Sequence, residues 1–389
     1  MLHPASNQSH EDKQIMQRHR SHQRRKQERI LTSIKAAIHS KHGRRTLIFR
    51  VAIAVSICSI LWLVKALLFP KSASPLSIKA KDISSRRYFR DSINAENRTR
   101  ISIAYVGNSI LFVNDCPGVL QAMLEEGSDN NEAYIVEYDA CLTAGATLVT
   151  LWDSMVGCTP QFSTSERLGG SMLTMEKLLS PPDGSILTDT TRSYWDYVIL
   201  HDQTRAPAFS RRRRASERAL NTTYAPKILR GGAIPILMQT AAYRNTEQIV
   251  PTLGSFESFT KELTYGYQRY ADVLNDYFAR HHHPNIQAVV APVGQAYADL
   301  KVDNVELYDK LYMEDDVHPS PYGTWLQACI LYIMITGSEP PPYNPHFWNI
   351  SPSGRRRTML PVPNTTEANA LRKAAWKIAR RLTNASHRQ

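Results

Sequence analysis

Several common signatures are missing from this 389-residue sequence. No Gly-x-x-x-x-Gly-Lys-Ser/Thr loop is present to cradle phosphates, and no Gly-x-Gly-x-x-Gly turn opens a helix. Nothing therefore points to a P-loop NTPase or a dinucleotide enzyme. There is no internal repeat, which argues against a solenoid or propeller. A metal-ligand set is lacking too. His281-His282-His283 is the densest histidine run, but adjacent side chains do not all converge on one ion, and no Cys or carboxylate stands at matching spacing. That run is better read as the basic end of a helix. Cysteines are few, five in all. Cys58 falls in an apolar run. Cys116, Cys141, Cys158 and Cys329 follow it, and they either form two bridges in an oxidising compartment or stay as buried thiols.

Charge is present in excess, at a formal net of +12, but it is unevenly placed. Residues 1–46 carry 11 Lys/Arg against 3 Asp/Glu, residues 70–100 carry 8 against 3, and residues 340–389 carry 9 against 1. With Arg50 and Lys65 in the apolar run, these leave residues 101–339 at a net of −11. An acidic domain repels a phosphate backbone, so the overall basicity does not imply nucleic acid.

The one long apolar stretch is 47–69, interrupted only by Arg50 and Lys65. About 20 residues cross a bilayer, and charges near the ends snorkel. A cleaved signal peptide is the competing reading, but a polar leader of 46 residues is too long for its n-region. The expectation is an uncleaved transmembrane signal-anchor, after a basic cytosolic tail (1–46) and before a basic stem (70–100). Five sequons follow it, at Asn97, Asn221, Asn349, Asn364 and Asn384. With the cysteines they favour a type II membrane protein whose C-terminal domain is lumenal or extracellular.

From Ile101 the texture changes. Short continuous apolar runs at 101–107, 134–140, 195–202, 233–240 and 287–294 predict five strands. Helical segments fall between them, at 117–126, 147–155, 171–179 and 255–280. Ser320 caps a last helix, with Pro321 in its first turn and Gly337 after its end. Strands apolar on both faces and alternating with helices predict an α/β fold with a parallel sheet covered on both sides. The domain is expected to end near 338, where a Pro-rich, basic extension (339–389) begins. Within that extension, 365–383 has Leu371, Ala375, Ile378 and Leu382 on one helical face, a pattern that predicts a helix packed on the domain or lying in water. Arg211–Arg214 is expected to be a solvated loop; binding of acidic substrate groups is its sharper alternative.

Sites in parallel sheets form at the carboxyl ends of strands. Gly107-Asn108-Ser109 stands where the first strand stops, and the Gly permits a sharp turn. Asp315-Asp316-Val317-His318-Pro319 stands before the last helix. Each motif alone is an ordinary turn or capping loop. Together they supply what a serine nucleophile requires: His318 to take the Ser109 proton, and Asp315 to fix its tautomer and stabilise the imidazolium.

The order of these segments resembles the SGNH/GDSL hydrolase superfamily over roughly residues 101–338. The first block of that family is Gly-Asp-Ser or Gly-Asn-Ser, and its last is Asp-x-x-His-Pro. WDYVILHDQT (195–204) and HPSPYGTWLQACILYIMITG (318–337) look like an uncharacterised bacterial branch of it. The resemblance implies a three-layer α/β/α flavodoxin-like sheet, with Ser109 as nucleophile, His318 as base and Asp315 as its partner. It also implies oxyanion donors from the serine N–H, a second-block Gly and a third-block Asn. Gly145 is the candidate Gly, and is equally a plain turn glycine. The third block departs from the family pattern: it is His201-Asp202-Gln203-Thr204, with Gln203 in the Asn position. No cofactor is needed for this chemistry. The expected activity is hydrolysis of carboxylic esters, of acylated small molecules or glycans given a lumenal location. Acyl transfer on the same site and non-catalytic glycan binding are the alternatives.

Overall fold

A computed structural model describes residues 99–127, 133–153, 174–180, 195–348 and 358–386. The expected tail and anchor lie outside these residues, as does the expected stem except for Thr99 and Arg100, which open the first strand. Among the described residues no helix is long and apolar enough to cross a membrane.

Five strands form one parallel sheet: β1 (Thr99–Gly107), β2 (Tyr134–Leu142), β3 (Tyr197–Leu200), β4 (Ile234–Met238) and β5 (Val289–Ala291). Their order is 2-1-3-4-5, the flavodoxin-like order of doubly wound sheets. Each strand is an apolar run because both of its faces are covered. On one face Ile103, Tyr105, Ile199, Ile236 and Met238 join a core with α2 (Cys116–Glu126), α9 (Val293–Asp303) and α11 (Pro321–Thr336). On the other, Ala104, Val106, Val198, Leu200 and Leu237 pack against α3 (Leu148–Asp153), α4 (Met175–Leu179), α5 (Ser210–Ala219) and α6 (Ala225–Gly231). The architecture is three layers, α/β/α.

Local signals explain the helix ends. Ser320 Oγ accepts from the N–H groups of Tyr322 and Gly323, and Pro321 takes the first turn of α11, where its missing N–H costs nothing. The Ser255 hydroxyl caps α8 (Phe256–Arg280) in the same way. Helix α8 serves both cores: Phe256, Phe259 and Leu263 belong to the first, Tyr267 to Phe278 to the second.

One segment differs from expectation, and one expected boundary moves. Arg211–Arg214 lies in helix α5 rather than in a loop. Its core-facing residues are too few for an apolar stripe, and only Ser216 is buried, so no hydrophobic period marks it. The C-terminal helix α12 (Thr365–Ser386) packs on α11 and places Ala368, Leu371, Ala375 and Ile378 in the first core. Trp325 of α11 donates to the Ala368 carbonyl at 2.9 Å and stacks on Phe347. The hydrophobic core thus runs on past the Pro-rich stretch. Cys116 and Cys329 are free and buried, whereas Cys141 is disulfide-bonded.

One close approach seats the segment after β3. A Cβ on Gly266 of α8 would stand 2.3 Å from the Pro207 carbonyl oxygen. Gly266→Ala is therefore expected to lower stability by about 1–3 kcal/mol, read as a lower urea midpoint. An unchanged midpoint would show that the 203–209 segment yields freely.

Candidate active site

Parallel pairing sends the loops after β1, β2 and β3 to one edge. Gly107 pairs with Leu142, and Val106 with both Cys141 and Leu200. The loops carrying Ser109, Gly145 and Gln203 therefore rise side by side. The chain order reverses between β1 and β3, which is the switch point where doubly wound sheets open a crevice. Gly107 is required there: a Cβ would come within 3.0 Å of His201 Cβ and Leu111 Cδ1.

Ser109 opens the short helix α1 (Ser109–Phe112). Asn108 caps that helix, its side-chain oxygen accepting from Ile110 N–H, while its Nδ2 donates to the Ala146 carbonyl at 3.0 Å. An aspartate here offers no such donor, so the amide is what ties the serine loop to the Gly145 loop.

Asp315 and His318 come from one hairpin. Tyr312 and Pro319 form its bridge, and Met313 N–H donates to the His318 carbonyl at 2.9 Å. Asp315 Oδ1 accepts from the N–H groups of Val317 and His318, at 3.0 and 2.9 Å. Its Oδ2 lies 2.5 Å from His318 Nδ1, and His318 Nε2 lies 2.8 Å from Ser109 Oγ. Ser109, far away in sequence, thus stands in line with His318 and Asp315. Partial burial works to raise the Asp315 pKa, but the backbone N–H and ring of His318 and the Val317 N–H outweigh it and hold the carboxyl below its usual range. It stays ionised, as a partner of an imidazolium must.

The hairpin is held from two sides. Asp316, in the left-handed region at φ 61, pairs with Arg244 and accepts from Asn245, and its carbonyl accepts from Arg244 N–H at 3.0 Å. Asp is among the few residues that tolerate this conformation. Buried Asn114, just after α1, donates to the Pro319 carbonyl at 2.8 Å and accepts from Thr358 Oγ1 at 2.9 Å.

The third-block loop is anchored by Asp202, which is fully buried. Its Oδ1 accepts from Leu148 and Gln203 N–H at 3.0 and 2.8 Å, and its Oδ2 from Ser216 Oγ and Tyr270 Oη at 2.7 and 2.8 Å. Burial raises its pKa against the lowering effect of these four donors. Gln203 Oε1 accepts from Arg205 N–H at 3.0 Å. That bond commits the oxygen end, so Nε2 is the end left to donate. Gly145 is exposed, with φ +67. The N–H groups of Ser109 and Gly145 and Gln203 Nε2 have no acceptor among the described residues. All three can still donate a hydrogen bond. His201, next to Asp202, is buried with no partner for either ring nitrogen among the described residues, and burial pushes its pKa down to about 3, so it is neutral.

Sequence reasoning located Ser109, His318 and Asp315. It missed Asp202 and Asp316 as anchors, because their partners are tens of residues away. No cluster of His, Cys, Asp or Glu able to hold a metal occurs among the described residues.

No known family matches the sequence, and no curated protein matches it. Solved structures similar to the chain include a DUF4886 family protein from Bacteroides uniformis, 15% identical over 72% of this chain and 95% of that one, with a TM-score of 0.46. A gut microbial diltiazem-metabolizing enzyme is 12% identical over 62% and 47%, at 0.35. A phospholipase A1 from Streptomyces albidoflavus is 10% identical over 60% and 98%, at 0.30.

Asp202 yields two expectations. Asp202→Ala leaves four buried donors without an acceptor and is expected to cost about 3 kcal/mol or more. Because its pKa is raised in the fold, the native state holds a proton more tightly than the unfolded chain does. Its contribution to stability falls as pH rises from the ordinary carboxyl value, about 4, through the raised one. Asp202→Asn is expected to flatten that part of the curve of urea midpoint against pH. An undiminished slope would assign it to other groups.

Proposed function

We propose that this chain is a serine hydrolase of the SGNH type that cleaves carboxylic esters through an acyl-serine intermediate. The observation that carries the reading is the relay at the switch-point edge, Ser109 Oγ to His318 Nε2 at 2.8 Å and His318 Nδ1 to Asp315 Oδ2 at 2.5 Å. His318 takes the Ser109 proton as Oγ attacks the carbonyl carbon, and Asp315 stabilises the imidazolium. Charge then develops on the carbonyl oxygen, where Ser109 N–H, Gly145 N–H and Gln203 Nε2 serve as donors. The imidazolium gives its proton to the leaving alcohol. Water, activated by the same His318, releases the acid and restores Ser109.

We place the domain on the lumenal or extracellular side of a membrane anchor at 47–69. The Cys141 disulfide supports an oxidising compartment. O-acylated glycans are the substrate class this location favours.

Full-length chain carrying Ser109→Ala is expected to lose hydrolysis of a short acyl ester and labelling by a fluorophosphonate. Asp315→Ala is expected to lower kcat about a hundredfold or more. Equal turnover by wild type and Ser109→Ala would remove the proposal.

A further inference from the structure

Six arginines are half-buried among the described residues: Arg100, Arg205, Arg213, Arg244, Arg269 and Arg372. Five of them face a carboxylate, namely Glu137, Glu262, Asp316, Glu217 and Glu339 for Arg100, Arg213, Arg244, Arg269 and Arg372. Arg205 alone among them has none. Taking a guanidinium partly out of water without a counter-charge is unfavourable, so the exception calls for a reason.

Its position supplies one. Arg205 stands two residues beyond Gln203, and its N–H holds the Gln203 side chain. Its Nε donates to Tyr243 Oη at 3.3 Å, with the guanidinium 5.7 Å from the centre of the Tyr243 ring. Tyr243 directly precedes Arg244, which braces the Asp315–His318 hairpin through Asp316. Arg205 is therefore fixed between the oxyanion loop and the support of the base. With Nε engaged, its two Nη groups are the donors left, and they have no acceptor among the described residues. A pair of Nη groups matches the two oxygens of a carboxylate. With the packed C-terminal extension included, residues 101–389 carry 26 Lys/Arg against 29 Asp/Glu, a net of −3, so the domain as a whole does not draw anions in, and a site that accepts one needs cations close by. Arg211 and Arg214, exposed on the helix that follows, also have no carboxylate partner among the described residues.

We infer that Arg205 is the anion receptor of this site and that the ester it takes carries a carboxylate. This rests on ester cleavage at Ser109, and it narrows the substrate to acidic esters. Two matched pairs test it on the full-length chain: 4-acetoxybenzoate against its methyl ester, with the charge on the alcohol side, and 4-nitrophenyl hydrogen succinate against its methyl ester, with the charge on the acyl side. In one pair kcat/KM is expected to favour the anion about tenfold or more. Arg205→Gln is expected to erase that ratio, mainly through KM. Arg205→Lys is expected to keep part of it, since Lys supplies charge without the fork. No preference in either pair, or a preference that survives Arg205→Gln, overturns the inference. So does an equal proportional loss on both members of a pair, which would mean that Arg205 only shapes the Gln203 loop. Calorimetric binding of the same compounds to Ser109→Ala chain, with and without Arg205→Gln, separates the two claims. Binding that favours the anion through Arg205, in a chain whose wild type cleaves none of these esters, keeps the receptor and removes the hydrolase.

Discussion

Parallel strand pairing is the constraint on which everything else in this domain rests. Hydrogen bonds between β1 and its neighbours β2 and β3 fix the register, and with it the edge at which each outgoing loop leaves the sheet. Because all five strands run the same way, the loops carrying Ser109, Gly145 and Gln203 have one place to go. The register brings the loops together but does not set side-chain positions. Asp202 does that for the third block, joining it to α3, α5 and α8 through three hydrogen bonds and accepting a fourth from Gln203 N–H within the loop. A buried carboxylate is costly, and raised pKa is the sign of that cost. Serine and tyrosine hydroxyls accept as well as donate, so the cluster stays satisfied with Asp202 in either protonation state.

Most of the sheet was legible because burial on both faces writes itself into sequence as continuous apolar runs. Helix α11 was legible to the residue, since Ser320, Pro321 and Gly337 each mark a local backbone event. Helices α5 and α9 were not. The first carries Arg at four successive positions and buries only Ser216, and the second follows β5 after one residue, so its start is read as strand. In the site, the motif residues were legible because Asp315 and His318 are three apart and the serine ends a strand. Asp316 to Arg244, Asn114 to Pro319 and Arg205 to Tyr243 span between 38 and 205 positions, and no local pattern encodes such pairs.

Charge acts on two scales here. Summed over the domain it is negative, and it sets how the protein meets distant ions. At the crevice the balance is local, and it depends on which cations have already been neutralised by a neighbour. Arg244 is spent on Asp316; Arg205 is not spent on any carboxylate among the described residues. Net charge and pI, read alone, would have missed both the acidic stretch and the unpaired cation at the edge where the strands end.

The Asp315–His318 hairpin has a mechanical consequence. Carboxylate and imidazole are set relative to each other by bonds within a handful of residues, closed by the Tyr312–Pro319 bridge. They behave as one prefabricated part. The tertiary fold has a single joint to adjust, the gap between that part and Ser109. Asn114 spans the joint like a gauge block, one end beside the serine helix and the other on the carbonyl next to His318. Errors accumulated elsewhere in the chain reach the serine–histidine contact through that one dimension.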